Sequence, residues 1–230
     1  MKRLVLLFIA FSLLESTKLF AQVAPYEWKY DETVSLGVSL NFPDIKNSCY
    51  NKDPYFGFNA SGCWGMFIHK KPIFNRVKFA IDLGFSADFG SLEEEKLEKA
   101  LPYPSDRYSD DLYQEKIKFM QANLGLRVGP SIVYKLPKKD TFINVYSHFI
   151  PSVSALIDDN EFSFSYTPYY GAGIKVMFEE YGVGAEYIQG KGKFNNLEAK
   201  ALKDNYGIEI PSNKYIMETR IIRVYIAMML

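Results

Sequence analysis

Apolar and polar side chains alternate with a period of two along most of this chain, and residues 77–90 show the pattern most clearly. Because successive side chains of a strand point to opposite faces, this pattern predicts a long, two-faced β-strand. Strands of soluble proteins usually have about 5–6 residues, whereas a tilted strand that crosses a bilayer needs about 9–11. The length therefore favours a membrane-spanning strand. Its apolar positions are Val77, Phe79, Ile81, Leu83, Phe85, Ala87 and Phe89.

The same alternation recurs along the chain and predicts eight strands. Long connections follow most of the odd strands, and short turns follow the even strands; short periplasmic turns and longer external loops are typical of outer-membrane barrels. Lipid around the strands requires every backbone amide to be paired, so the sheet must close. The predicted fold is all-β, an eight-stranded antiparallel up-and-down transmembrane β-barrel. The predicted strands are 33–42, 55–68, 77–90, 116–134, 141–157, 162–178, 181–189 and 215–230, and the long connections are 43–54, 91–115 and 191–214.

The N-terminal residues have the pattern of a secretory signal peptide. Lys2 and Arg3 precede an apolar run at 4–14, and Ala21 supplies a small residue at the cleavage site. The apolar run is too short for a spanning helix. We therefore predict three segments, a cleaved signal peptide at 1–21, a periplasmic lead-in at 22–32 and an outer-membrane barrel domain at 33–230.

Composition narrows the class of partner. The formal net charge is zero, with 27 basic and 27 acidic residues, which argues against a nucleic-acid partner because such proteins present a basic face. Aromatic residues make up 16% of the chain, with 17 Tyr and 18 Phe. This excess suits the aromatic girdles found where a barrel meets the membrane–water interface.

Charged residues of both signs fall on the inward faces of the predicted strands. An eight-stranded barrel has room for side chains but not for an aqueous channel, and buried charges are tolerated when they are paired. We interpret the set as a packed interior of compensating charges, with a polar pathway or a catalytic cluster as the alternative. This predicted lumen charge network is Lys78, Asp82, Asp88, Arg127, His148, Lys175, Glu186 and Arg223.

Other candidates for chemistry give weak signals. His148 shares its predicted face with Ser152 and Ser154, but a catalytic triad needs a serine within hydrogen-bond reach of the histidine and an acid behind it. We interpret His148 as an interior histidine with satisfied hydrogen bonds. Cys49 falls in a loop and Cys63 on a lumen face, which predicts two separate thiols. No metal-ligand spacing is present, and no catalytic residue, metal or cofactor is assigned.

Four inward glycines need a separate explanation. They lie opposite bulky outward residues, and their spacing is not that of a phosphate-binding loop. We predict that they make room inside a narrow barrel. They are Gly171, Gly173, Gly182 and Gly184.

The signal peptide ending at 20–22, the alternating strands such as 77–90 and 162–178, and the last strand at 220–230 together resemble one family. It is that of the small outer-membrane β-barrel proteins, of the OmpA transmembrane-domain and OmpX type within the porin-family barrels. The resemblance implies outer-membrane lipid and lipopolysaccharide as surroundings and the barrel-assembly machinery as a partner during insertion. Members usually end in an aromatic residue, whereas this chain ends in Leu230.

We therefore predict a protein of the bacterial outer membrane that is not an enzyme and has a structural or surface-interaction role. The connections 91–115 and 191–214 are the predicted site for an external protein or other surface ligand. Three alternatives remain open at this point. They are a narrow pore or minor porin for small solutes, a lipid-modifying barrel enzyme with His148 as its base, and a soluble calycin-like barrel with an apolar ligand cavity.

Overall fold

The computed structural model of the protein describes residues 32–46, 54–69, 71–93, 118–137, 141–157, 162–195 and 214–230. The predicted signal peptide, the lead-in as far as residue 31, Cys49 and most of the long connections lie outside these residues. Among the residues that the structure describes, no helix is long and apolar enough to cross a membrane.

Eight antiparallel strands close into a barrel in chain order. Each strand pairs with the next, and the last pairs with the first, where Thr33 lies opposite Met229 and Phe42 opposite Arg220. Because β1 and β8 pair with each other, neither strand is left with an edge of unpaired backbone groups. The predicted fold class, strand number and strand order are confirmed. The strands are β1 (Glu32–Lys46), β2 (Tyr55–Phe67), β3 (Val77–Glu93), β4 (Lys118–Lys135), β5 (Thr141–Ile157), β6 (Phe162–Phe178), β7 (Tyr181–Asn195) and β8 (Lys214–Met229).

The outer face of the barrel is apolar. Phe58 on β2 is 72% exposed and Ile226 on β8 is 65% exposed. The apolar side of β3, including Ile81, also faces outward. Each large apolar side chain left in water forgoes about 1.5–3 kcal/mol of transfer free energy. This surface therefore requires apolar surroundings.

The lumen is layered, and β8 shows the order of the layers. Its inward residues run Ala227, Tyr225, Arg223 and Ile221. Ala227 and Tyr225 belong to an apolar cluster at the turn end of the barrel, Ile221 belongs to a second apolar cluster, and Arg223 lies between the two. The first cluster also contains Val133, Phe142 and Met177, and the second also contains Ile150, Tyr169 and Ile188.

The turns after the even strands are compact, as predicted. Glu179 and Glu180 alone join β6 to β7, and Glu179 adopts a positive φ of 57° that lets the chain reverse within two residues. The Met229 amide donates to the Glu180 carbonyl at 2.7 Å, which ties β8 to this turn. Between β2 and β3, the Phe79 amide donates to His69 Nε2 at 3.0 Å.

One predicted boundary is wrong in an informative way. The sequence predicts that β7 ends at 189, because Gly190 and Gly192 resemble strand breakers, yet the strand continues to Asn195. Both glycines are inward strand residues, and a Cβ on Gly190 would overlap the ring of Tyr169. The glycine is therefore required by a close side-chain approach across the β6–β7 pair, and the connection shortens to 196–213.

Other strand ends differ from prediction by smaller amounts, and β2 and β8 differ by one residue at an end. β1 continues past 42 to Lys46 and β3 continues past 90 to Glu93. β4 is described from Lys118 onward, and the predicted strand residues 116–117 lie outside the described part of the chain. The extensions of β1 and β3 lie beyond the last strongly apolar outward positions, where pairing with the neighbouring strand continues without an apolar outer face. β5 and β6 have the predicted bounds.

Candidate functional site

The structure places all eight residues of the predicted charge network inside the barrel. Asp82 is 1% exposed and Arg223 is 2% exposed, and the other six are also buried. Each lies on the inward parity of its strand, so the alternation alone determines this placement. The alternation does not determine which of them come into contact.

Glu186 on β7 is the centre of the ion pairs. Its carboxylate accepts hydrogen bonds from Arg127 on β4 and from Arg223 Nη1 on β8, the latter at 3.1 Å. Arg223 also donates to Asp88 on β3. The resulting series of four charges joins four strands. Buried charges cost several kcal/mol each unless they are paired in this way.

His148 lies between a cation and a carboxylate. Arg127 Nη2 is 3.0 Å from His148 Nδ1, and a guanidinium can only donate, so Nδ1 is the acceptor. His148 Nε2 then carries the proton and donates to Asp82 Oδ2 at 3.1 Å. The Ser131 hydroxyl donates to the other oxygen of Asp82 at 2.7 Å. These contacts define a neutral imidazole with one tautomer.

The serines considered beside His148 do not complete a hydrolase arrangement. The Ser152 hydroxyl donates to the Ile150 carbonyl at 3.1 Å, and both ring nitrogens of His148 are bonded to Arg127 and Asp82. A serine nucleophile needs a free imidazole nitrogen within reach. The geometry therefore gives no support to His148 as the base for Ser152.

A second grouping was not foreseen from the sequence. Cys63, Asp82 and His148 each offer a ligand atom within 4.8 Å of the others, and these are ligand types that zinc accepts. Coordination through Nε2 would move the ring proton to Nδ1, which faces the donors of Arg127. The lumen network also already holds four cations, counting Lys78 and Lys175, against three carboxylates. Both features disfavour a further cation here.

Lys175 and Lys78 lie toward the turn end of the lumen. Lys175 Nζ donates to Thr33 Oγ1 at 2.8 Å, and Lys78 Nζ lies 4.4 Å from the centroid of the Phe67 ring. The structure thus brings six of the eight predicted residues into one hydrogen-bonded group and gives these two lysines other contacts.

Two tyrosines that the sequence did not single out complete the site. The hydroxyls of Tyr146 and Tyr225 are 2.6 Å apart, and the Tyr146 ring stacks on His148 with centroids 4.7 Å apart. A Cβ on Gly173 would lie 2.6 Å from Tyr146 Cζ. The predicted role of this inward glycine, making room in the lumen, is confirmed.

Side chains meet across the whole width of the described lumen. Arg127 and Glu186 join β4 to β7, which are not neighbours, and the two tyrosine hydroxyls join β5 to β8. Above them, the Tyr169 hydroxyl on β6 donates to Asn123 on β4 at 3.3 Å. Such contacts are expected in a barrel of eight strands, whose interior side chains can fill. They obstruct the described part of the lumen.

No family model and no curated protein matches this chain. Among solved structures, it is similar to Ail, the attachment invasion locus protein of Yersinia pestis in complex with the heparin analogue sucrose octasulfate, with 10% identity, a TM-score of 0.41, and coverage of 86% of this chain and 97% of that one. It is also similar to Neisserial surface protein A, with 11% identity, a TM-score of 0.39, and coverage of 86% of this chain and 97% of that one. The outer membrane protease OmpT from Escherichia coli is similar with 8% identity, a TM-score of 0.46, and coverage of 90% of this chain and 99% of that one.

The fold and these comparisons bear on two predictions. The resemblance to small outer-membrane barrels is confirmed at the level of the fold, because the described strands form a closed eight-stranded antiparallel barrel. The prediction that the protein is not an enzyme is wrong as a deduction from architecture, because OmpT, a protease, is among the similar structures. At 8% identity, that likeness assigns no activity to this chain.

Proposed function

We propose that this protein spans a bacterial outer membrane as a closed barrel and interacts with its surroundings through the connections at one rim. The observation that carries the proposal is the inverted distribution of polarity. Leu126 is 66% exposed on the outside, whereas its neighbour Arg127 is 5% exposed and ion-paired inside. Lipid on the outside and paired charges inside are the conditions under which this distribution is stable.

Two of the alternative functions fit less well. A soluble calycin-like barrel would hold an apolar ligand cavity, but the middle of this lumen contains the Arg127–Glu186 and Arg223–Asp88 pairs. A pore requires a continuous polar path, and here side chains of opposite strands are bonded across the lumen. The third alternative, a lipid-modifying enzyme with His148 as its base, is not supported by the contacts of that histidine.

The strand topology supports a surface role at one rim. Because the strands alternate in direction, the connections after β1, β3, β5 and β7 all leave from the same rim, and the compact turns occupy the other. The two longest connections, 94–117 and 196–213, belong to the first rim. Long external loops on a rigid barrel are common places for binding. We therefore propose that these connections bind an external protein or surface ligand.

Membrane fractionation and epitope accessibility test the proposal together. The full chain is expected in the outer-membrane fraction, with different gel migration for heated and unheated samples. An epitope inserted in 94–117 should bind antibody on intact cells. The matched control is the same epitope at the Glu179–Glu180 turn, which should bind antibody only after the outer membrane is permeabilised.

Two results would overturn the proposal. A soluble protein without a heat-dependent shift would show that lipid does not surround the barrel. Labelling of the 179–180 epitope but not the 94–117 epitope on intact cells would reverse the assignment of the two rims.

A further inference from the structure

The paired strands β7 and β8 change character outside the barrel at one level. Tyr187 and Ile222, which lie opposite each other, are the last apolar residues before the change. Beyond them toward the 196–213 connection, the next opposed pair is Gln189 and Arg220. Lys191 then faces Glu218. On these two strands the apolar band thus ends at this level, and the outward residues above it are polar except for Ile216, which lies opposite Lys193.

Four cations lie on this upper outward face, namely Lys191, Lys193, Lys214 and Arg220, and all four are exposed. The acid among them, Glu218, accepts a hydrogen bond from Gln189 Nε2 at 3.0 Å and lies 3.9 Å from Arg220 Nη2. Among the described residues, Lys191 and Lys193 have no ion-pair partner. The face therefore carries an excess of positive charge, concentrated on β7.

Tyrosines flank the cations on the β6 side. Tyr170 lies opposite Gln189. Tyr166 is on the same outward face of β6, closer to the start of that strand and therefore closer to the rim with the long connections. They are 65% and 62% exposed. Exposed tyrosines mark the level of lipid headgroups, because the ring is apolar and the hydroxyl is hydrated. The next outward residue of β6, Phe164, is 64% exposed and precedes Ser165, whose hydroxyl accepts a hydrogen bond from the Lys193 amide. The lysines of β7 thus lie at the margin of the apolar surface, where the phosphates of a lipid headgroup would be.

We infer that this upper outward face of β7 and β8, formed by Lys191, Lys193, Lys214 and Arg220, binds the phosphate groups of an anionic lipid in the leaflet at that rim. The inference rests on the proposed membrane location and names a partner within it. Ammonium groups attract phosphates as point charges, and the Arg220 guanidinium matches two phosphate oxygens at once. The position of the cations immediately above the apolar band favours a lipid over a soluble polyanion.

The test uses the folded full-length protein in detergent micelles, with lipid A, a glycolipid bearing two phosphates, as the probe. Native mass spectrometry compares binding of lipid A with binding of its dephosphorylated form. A lysine near an anionic lipid surface contributes roughly a fivefold gain in affinity. Wild type should therefore prefer the phosphorylated form, and Lys191→Gln/Lys193→Gln should lower its affinity by roughly 25-fold.

The control variant is Lys71→Gln/Arg76→Gln, which removes two exposed cations at the turn rim. It should leave lipid A binding unchanged. Equal binding of both lipid forms by wild type, or equal losses in both variants, would overturn the inference. Displacement of lipid A by soluble heparin, with no preference for lipid A when both are present, would assign the face to a soluble polyanion and also overturn it.

The same proteins are also transferred into phospholipid vesicles, and their gel migration with and without heating is compared. This measurement separates the lipid inference from the proposed function. A protein that inserts and shifts on heating but does not distinguish the two lipids overturns the lipid inference alone. A protein that does not insert overturns both.

Discussion

The hydroxyl groups of Tyr146 and Tyr225 meet at 2.6 Å in the lumen and hydrogen-bond β5 to β8. The strands that carry them are three apart around the barrel, so the contact spans the interior. Tyr225 packs in the apolar cluster at the turn end, and Tyr146 stacks on His148. The pair therefore forms the boundary between apolar and charged layers.

Removing one of these two hydroxyls should be worse than removing both. Tyr225→Phe leaves the buried Tyr146 hydroxyl without this partner and is expected to lower the free energy of unfolding by about 1–3 kcal/mol. In Tyr146→Phe/Tyr225→Phe neither hydroxyl remains, so stability should return close to wild type. Urea unfolding in phospholipid vesicles measures both. A double variant that loses the sum of the single effects would show that the hydroxyls do not depend on each other.

The carboxylate of Glu186 should be the most costly charge to remove. Glu186→Gln leaves Arg127 and Arg223 in the lumen without their shared counter-ion, and loss of one partner from a buried pair costs about 3–5 kcal/mol. The matched control, Glu218→Gln, neutralises a carboxylate at the rim beside Arg220, where about 0–1 kcal/mol is expected. Similar losses in the same unfolding assay would contradict a specific role for the buried ion pairs.

Gly190 should behave as a packing residue of β7. Gly190→Val would place side-chain atoms against the Tyr169 ring, and overpacking of this kind costs about 1–3 kcal/mol. In a Tyr169→Ala background, the same substitution should cost clearly less, because the ring no longer occupies the space. The fraction that migrates as the heat-modifiable form reports the effect. An equal cost in both backgrounds would point to a backbone cause instead.

At outward positions, the free-energy cost of introducing a charge should depend on how deep in the bilayer the position lies. Leu126→Arg places a charge near the middle of β4, for which about 2–4 kcal/mol is expected in a bilayer. Gln189→Arg, at the level where the apolar band ends, should cost about 0–1 kcal/mol. Both are measured by unfolding in vesicles. Equal costs would contradict the proposed position of the lipid boundary.

The strands could be predicted where apolar residues mark one face and breakers mark both ends. β5 and β6 satisfy both conditions, and their bounds match the prediction. The end of β7 satisfied neither, because Lys191 and Lys193 replace the apolar outward residues and Gly190 resembles a breaker. Alternation in polarity detects a strand only where two different solvents contact its faces.

The membership of the lumen network follows from parity, but its pairing does not. Arg127 and Glu186 are far apart in sequence and lie on strands that do not pair. Their contact depends on the stagger of the closed sheet and on the space left by glycines such as Gly173. The position of Cys63 beside Asp82 and His148 depends on the same stagger, which no local pattern encodes.

Pairing of β8 with β1 has a consequence for how the barrel assembles. Thr33 pairs with Met229, so the closing contacts join the first and last strands, which are the farthest apart in the sequence. Until β8 arrives, the sheet has two unpaired edges, whose backbone groups lipid cannot satisfy. A partly inserted sheet is therefore unstable in the bilayer, and insertion should be slow and concerted, with the last strand completing a barrel that is already largely formed.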